Sequence, residues 1–243
     1  MSIRGRYSFT FEGHTVTFSV PTTTLVRRNR MRFKSEKKEL RDFLSEIEED
    51  DVVYDIGANT GLYTFFAAKA CPDGEVIAFE PYPPNLSLLK QDTARNQLQN
   101  VETIDIALSD SVGSIEFSQP TEDDMGYGSS AIETTESKTT VNIPTTTGDQ
   151  LIADREIPAP DVVKIDVEGS EPLVLEGLET TLSTLSCRTV YCEVHLPGVD
   201  RRPSVEDFGS SPEDIQNRLE EFGFTIEVLD NREEKEIFYK AHR

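Results

Sequence analysis

The chain has 243 residues, 36% of them hydrophobic and 28% charged, with a formal net charge of −21. That length suits one large domain with a small extension, and so acidic a body argues against nucleic acid as the main partner, since phosphates would be repelled over most of the surface. No stretch is apolar and long enough to span a bilayer, and the N-terminus lacks a signal-peptide run, so a cytoplasmic protein is expected.

The charge is unevenly spread. Residues 1–41 hold ten Lys and Arg against Glu12, Glu36 and Glu39, so the remainder carries the whole acidic excess. Residues 7–20, YSFTFEGHTVTFSV, alternate apolar and polar positions on both sides of Glu12-Gly13. This predicts a β-hairpin, with Phe9 and Phe11 on one face and Val16, Phe18 and Val20 on another. Residues 21–34 read as a basic linker. Residues 35–49 read as a helix capped by Ser35, with Leu40, Phe43, Leu44 and Ile47 as its apolar stripe. The expected division is therefore 1–34, hairpin and linker, and 35–243, the main domain.

Strand and helix then alternate. Strands are predicted at 51–56, 75–80, 101–106, 161–166 and 189–194, and helices at 61–70, 83–97, 171–185 and 212–222. This rhythm implies an α/β fold with a mostly parallel sheet and helices on both faces. FTIEVLD (224–230) and EIFYKAH (236–242) flank the polar turn NREEK and predict a terminal hairpin. Residues 118–147 have little hydrophobic periodicity and read as a functional or disordered loop. The three cysteines, Cys71, Cys187 and Cys192, form no CxxC, so neither a disulfide framework nor a zinc site is suggested and no metal is assigned.

The chemistry concentrates at strand ends. In DIGANTG, Asp55 ends an apolar strand and Gly57, Ala58, Asn59 and Gly61 form a glycine loop before a helix. The central glycine of a dinucleotide fingerprint is missing, and no Lys makes it an NTP phosphate loop. An anion such as Asp55 suits a ligand with positive charge and no phosphate, as in S-adenosylmethionine. Glu80 ends the next strand, where an acid can accept both ribose hydroxyls. Ile106 and Ala107 end the third predicted strand and suit an adenine pocket. In KIDVEGSE, Asp166 faces the same crevice, with Glu168 and Glu171 on the following turn. Glu193 and His195 share a face of the fifth strand. Asp166, Glu168, Glu193 and His195 are the candidate catalytic residues, with Asp166, Glu168 and His195 as candidate bases; capping and packing are the competing roles for Glu168, Glu171 and His195.

DIGANTGLYTFFAA, VIAFEPYPPNLSLLKQD, NVETIDIALSD, VVKIDVEGSEPLVLEG and CEVH, in this order, resemble the FkbM family of methyltransferases over residues 36–195. The resemblance implies a Rossmann-like class I methyltransferase fold with a seven-stranded sheet and an N-terminal β-hairpin. It implies S-adenosylmethionine as cofactor, held by Asp55, Gly57, Asn59, Gly61, Glu80 and the Ile106-Ala107 region. It implies O-methylation of a sugar or glycan, at a hydroxyl or a uronic-acid carboxylate, with Asp166, Glu168 and Glu193 facing the acceptor. The polar TTTGDQLI before the fourth strand departs from the family pattern. The basic N-terminal segment suits an anionic partner, such as a lipid-linked glycan phosphate or a membrane surface. Nine lysines against 15 arginines in so acidic a chain resemble proteins of salt-loving archaea, where salt screens self-repulsion. Competing readings are a NAD-dependent sugar oxidoreductase, a methyltransferase of a non-sugar small molecule or a nucleic-acid base, and a non-catalytic binding module.

Overall fold

The computed structural model describes residues 5–20, 23–118, 140–154, 156–199, 202–232 and 235–243. β1 (Gly5–Phe11) and β2 (His14–Val20) form the expected hairpin. Its pairing sets Phe9 opposite Val16 and Tyr7 opposite Phe18. Both apolar sets therefore lie on the same side, not on two faces. There Phe11 meets Phe66 and Phe18 meets Phe65, in a core shared with the main sheet. The backbone N–H of Ser19 donates to Asp92 Oδ2 at 2.6 Å, tying the hairpin to the body.

The expected linker is a helix, α1 (Thr23–Ser35), followed by α2 (Lys37–Ser45). Ser35 does not cap α2; it ends α1, and its Oγ donates back to the Met31 and Arg32 carbonyls. The predicted stripe holds: Leu40 and Phe43 are fully buried, and Leu44 and Ile47 pack beside them.

β3 (Val52–Ile56), α3 (Leu62–Ala70), β4 (Glu75–Phe79), α4 (Pro83–Arg95) and β5 (Val101–Ile104) build the first half of the main sheet. β6 (Ala107–Leu108), β7 (Gly113–Ser118) and β8 (Thr140–Thr146) make a separate three-stranded sheet. The third predicted strand thus ends at Ile104, and Ala107 belongs to the small sheet. The predicted 118–147 loop contributes β8; residues 119–139 lie outside the described residues. TTTGDQLI is the end of β8 followed by α5 (Gly148–Ala153), and the Thr147 side chain caps that helix by accepting from the Gln150 N–H.

The second half runs through β9 (Val162–Ile165), α6 (Glu171–Gly177), α7 (Glu179–Leu182), β10 (Thr189–His195), a 3₁₀ turn at Val205–Phe208, α8 (Pro212–Glu221), β11 (Thr225–Arg232) and β12 (Glu236–His242). The predicted 171–185 helix is split after Gly177, where a Cβ would sit 2.0 Å from the Ser109 carbonyl oxygen. The sheet order is β11-β12-β10-β9-β3-β4-β5, with β12 antiparallel to both neighbours and β10-β9-β3-β4-β5 paired in parallel. VVYDI, EVIAF and VVKI are almost wholly buried, as strands covered on both faces must be. Strand order reverses between β3 and β9, and their carboxyl ends flank a crevice. No helix among the described residues is long and apolar enough to cross a membrane.

Candidate active site

After β3 the backbone turns through three left-handed residues, Gly57 (φ 84), Asn59 (φ 54) and Gly61 (φ 89). At Gly57 a Cβ would lie 1.9 Å from the Asp166 carbonyl oxygen, so only glycine lets the loops after β3 and β9 abut. At Gly61 it would strike the Phe65 and Leu89 side chains. The N–H groups of Gly57 and Ala58 both donate to the Phe79 carbonyl. Ala58 and Gly61 therefore shape the loop but do not line the crevice.

The crevice holds a cavity of about 800 Å³, including its open mouth. Phe79, Ile106, Leu108 and Ile115 give it apolar walls, and Gly57, Asn59 and Ala107 also line it. Its charged lining groups are Glu80, Asp166 and Glu168; no Lys or Arg lines it among the described residues. Glu80 is fixed by its backbone partners: Oε2 accepts from Asn59 N–H at 2.7 Å and Oε1 from Tyr82 N–H at 2.9 Å. Burial pushes its carboxyl up to about 7, against the pull of those two N–H groups. The Asn59 Oδ1 is buried without a hydrogen bond, so the cavity wall offers an unused acceptor.

Asp55 does not line the cavity. It is 1% exposed, accepts from Thr64 Oγ1 at 2.5 Å, and lies 3.9 Å from Lys164 Nζ, its neighbour across the β3–β9 pairing. The cation that Asp55 faces is a lysine of the protein. The acidic groups that do line the cavity are Glu80, Asp166 and Glu168.

At the β9 end of the cavity, Asp166 Oδ2 pairs with Lys164 Nζ and Arg32 Nη2, both at 3.1 Å. Burial alone would raise the Asp166 pKa; Lys164, Arg32 and His195 outweigh it and hold the carboxyl well below the usual range. His195 Nδ1 meets Glu171 Oε1 at 2.7 Å, and its Nε2 lies 3.8 Å from Asp166 Oδ1 and 3.7 Å from Glu168 Oε2. Burial opposes charge on this ring, yet Glu171 and Glu168, with Asp166, lift its pKa to about 10. The imidazole carries its proton at neutral pH, so in this state it is not the base the sequence nominated. Glu193 is buried on the other side of His195, with a carboxylate oxygen within 4.8 Å of its ring, and its Oε1 accepts from Arg232 Nη1 at 3.3 Å.

Two residues of this site, Arg32 and Lys164, have no individual role in the sequence pattern, and a third, Glu171, reads there as a cap. Arg32 arrives from the supposed linker. Lys164 is a fully buried lysine in the middle of β9. Glu171 is not a cap: its Oε1 accepts from Gly169 N–H and holds His195. A lysine inside an otherwise apolar strand is the one signal that could have flagged Lys164.

The sheet order, with a crevice at its switch point, is that of the Rossmann-like methyltransferase fold. Methyltransferase FkbM from Methylobacillus flagellatus KT matches it with a TM-score of 0.56 at 15% identity, over 81% of this chain and 44% of that one. Precorrin-6y C5,15-methyltransferase from Geobacter metallireducens GS-15 matches with a TM-score of 0.50 at 14% identity, over 84% and 86% of the two chains. The chain belongs to the FkbM methyltransferase family: the methyltransferase FkbM domain matches residues 55–226. It is 33% identical to hexuronic acid methyltransferase AglP of Haloferax volcanii over 223 residues, 91% of this chain and 83% of that protein. It is 29% identical to 31-O-demethyl-FK506 methyltransferase FkbM of Streptomyces tacrolimicus over 62% of this chain and 67% of that protein. The chain is thus a methyltransferase, and Arg32 lies outside the span that the family domain matches.

Proposed function

We propose that this methyltransferase takes its methyl group from S-adenosylmethionine and transfers it to a hydroxyl of a sugar, a hexuronic acid of a surface glycan being the favoured acceptor. The observation that carries this reading is the cavity's charge: three carboxylates and no Lys or Arg among its described lining residues. A diphosphate would be repelled there, whereas a ligand bearing a sulfonium and an ammonium is attracted. The likeness to a hexuronic acid methyltransferase supports the acceptor class.

The residues divide the work. Glu80 faces the ribose hydroxyls, and Ile106, Leu108 and Ile115 flank the adenine. When bound, the cofactor supplies a methyl carbon on a good leaving group, so the protein's task is alignment and exclusion of water. Asp166 and Glu168 face the acceptor oxygen, and the Glu168 carboxylate takes the hydroxyl proton. Carboxylates facing the acceptor disfavour another carboxylate as the methylated group. The exposed Arg27, Arg30 and Lys34 share a helix with Arg32 and suit the phosphate of a lipid-linked glycan.

Calorimetry tests the cofactor. S-adenosylhomocysteine is expected to bind and NADH is not; the reverse would make the chain an oxidoreductase-type binder. Glu80→Gln should weaken S-adenosylhomocysteine by about 10–100-fold, because a charge-assisted contact to the ribose is lost and one backbone N–H faces an amide NH₂. Glu80 is the acceptor in its ionised form. Wild-type affinity should therefore fall as pH drops through about 7, and the variant's should stay flat.

A further inference from the structure

We propose that Asp166 Oδ1, Glu168 Oε2 and His195 Nε2 bind one divalent cation at the acceptor end of the cavity. The binding claim stands on geometry; the ion's role in holding an acceptor oxygen rests on the function proposed above.

The three groups offer ligand atoms that all lie within 4.8 Å of one another. His195 Nε2 is 3.8 Å from the Asp166 oxygen and 3.7 Å from the Glu168 oxygen. Ligand bonds of about 2.0–2.2 Å separate neighbouring ligand atoms by about 3 to 3.5 Å, so the two His195 separations need to close by only a few tenths of an ångström, and the two carboxylate oxygens start no more than 4.8 Å apart. His195 is 1% exposed, and its Nε2 faces the two carboxylates at ion-pair distance. Its other nitrogen is held by Glu171 at 2.7 Å, the carboxylate–histidine arrangement that fixes a metal-binding ring, and the ion takes the place of the Nε2 proton, which is released to solvent. The Glu168 Oε2 is buried without a hydrogen-bond partner.

Neighbouring cations leave these atoms available. Lys164 and Arg32 both bind the other oxygen of Asp166. Arg202 Nε approaches Glu168 Oε2 only to 4.0 Å without a hydrogen bond, and its guanidinium is held by Glu236 and the Lys235 carbonyl. One imidazole and two carboxylates, with no thiolate, suit Mn²⁺ better than a soft metal. Three protein ligands leave positions open toward the cavity for water or for a sugar oxygen; Glu168 binds the ion through Oε2 alone and keeps Oε1 for the hydroxyl proton.

The full-length protein, stripped with a chelator, is titrated with Mn²⁺ and the free ion is read by electron paramagnetic resonance. About 1 M KCl suppresses diffuse binding to the acidic surface. The expected result is one tight Mn²⁺ per chain, weakened at least about tenfold by Glu168→Gln and by His195→Ala, and unchanged by Glu213→Gln on the exposed face of α8. Absence of stoichiometric binding to the wild type, or full retention in Glu168→Gln, overturns the inference. Should His195→Ala fail to fold, the wild type and the near-isosteric Glu168→Gln still decide it. S-adenosylhomocysteine calorimetry on the same samples separates the two claims: cofactor binding without Mn²⁺ removes the ion alone, and Mn²⁺ binding without cofactor removes the cofactor reading alone.

Discussion

Asp166→Ala is expected to cost about 3–5 kcal/mol of folding stability and to abolish methyl transfer. The size follows from what the carboxylate neutralises. Lys164 is fully buried, and Asp166 is its 3.1 Å partner; the remaining anion, Asp55, lies at 3.9 Å. Arg32 loses the contact that ties α1 to the strand ends, and His195 loses one of its three acids. Removing one member of a buried set leaves uncompensated charge, which costs far more than the pair contributes net. The pH dependence has a definite sign. The folded pKa of Asp166 lies below its unfolded value, so its contribution is fully present above about pH 4 and is lost as pH falls further. Chemical denaturation at pH 7 and near pH 3 checks this: the gap between wild type and variant should narrow in acid.

Glu168→Gln should lower kcat by about 10²–10⁴-fold while leaving S-adenosylhomocysteine affinity unchanged. Glu168 sits at φ 53, and the next residue, Gly169, at φ 98, where a Cβ would press within 2.8 Å of the Pro203 carbonyl carbon. The turn is therefore held against the segment before the 3₁₀ element, and a Gln side chain is carried to the same place. What changes is the ability to take a proton. Single-turnover kinetics with bound cofactor isolates the chemical step; an unchanged rate would remove Glu168 as the base.

The parts of this molecule that were legible in the sequence are those set by local pattern. VVYDI and EVIAF are apolar runs bounded by turns, and the parallel sheet follows from their alternation with helices. Glu80 was findable because strand spacing puts it at the crevice. Arg32 was not. TTLVRRNRMRFKS has no acid in its first turn and a crowded basic face, so it reads as a linker, and its role depends on Asp166, 134 positions away. Asp55 misled for the reverse reason. An acid at a strand end implies an external cation until the pairing of β3 with β9 sets Lys164 opposite it. His195 likewise reads as a base until three carboxylates close around it, which no local pattern records. Gly177, where the predicted helix breaks, abuts the Ser109 backbone, again a contact between distant segments.

The central claim is methyl transfer from S-adenosylmethionine to a sugar hydroxyl at the Asp166–Glu168 end of the cavity. The most direct test is mass spectrometry of a hexuronic-acid-containing glycan incubated with the full chain and methyl-labelled S-adenosylmethionine. The predicted result is a gain of one labelled methyl on a hydroxyl oxygen of the sugar, strongly reduced with Glu168→Gln. Label appearing only as a methyl ester on the sugar carboxylate, or no label on any sugar while the cofactor binds, would contradict the account.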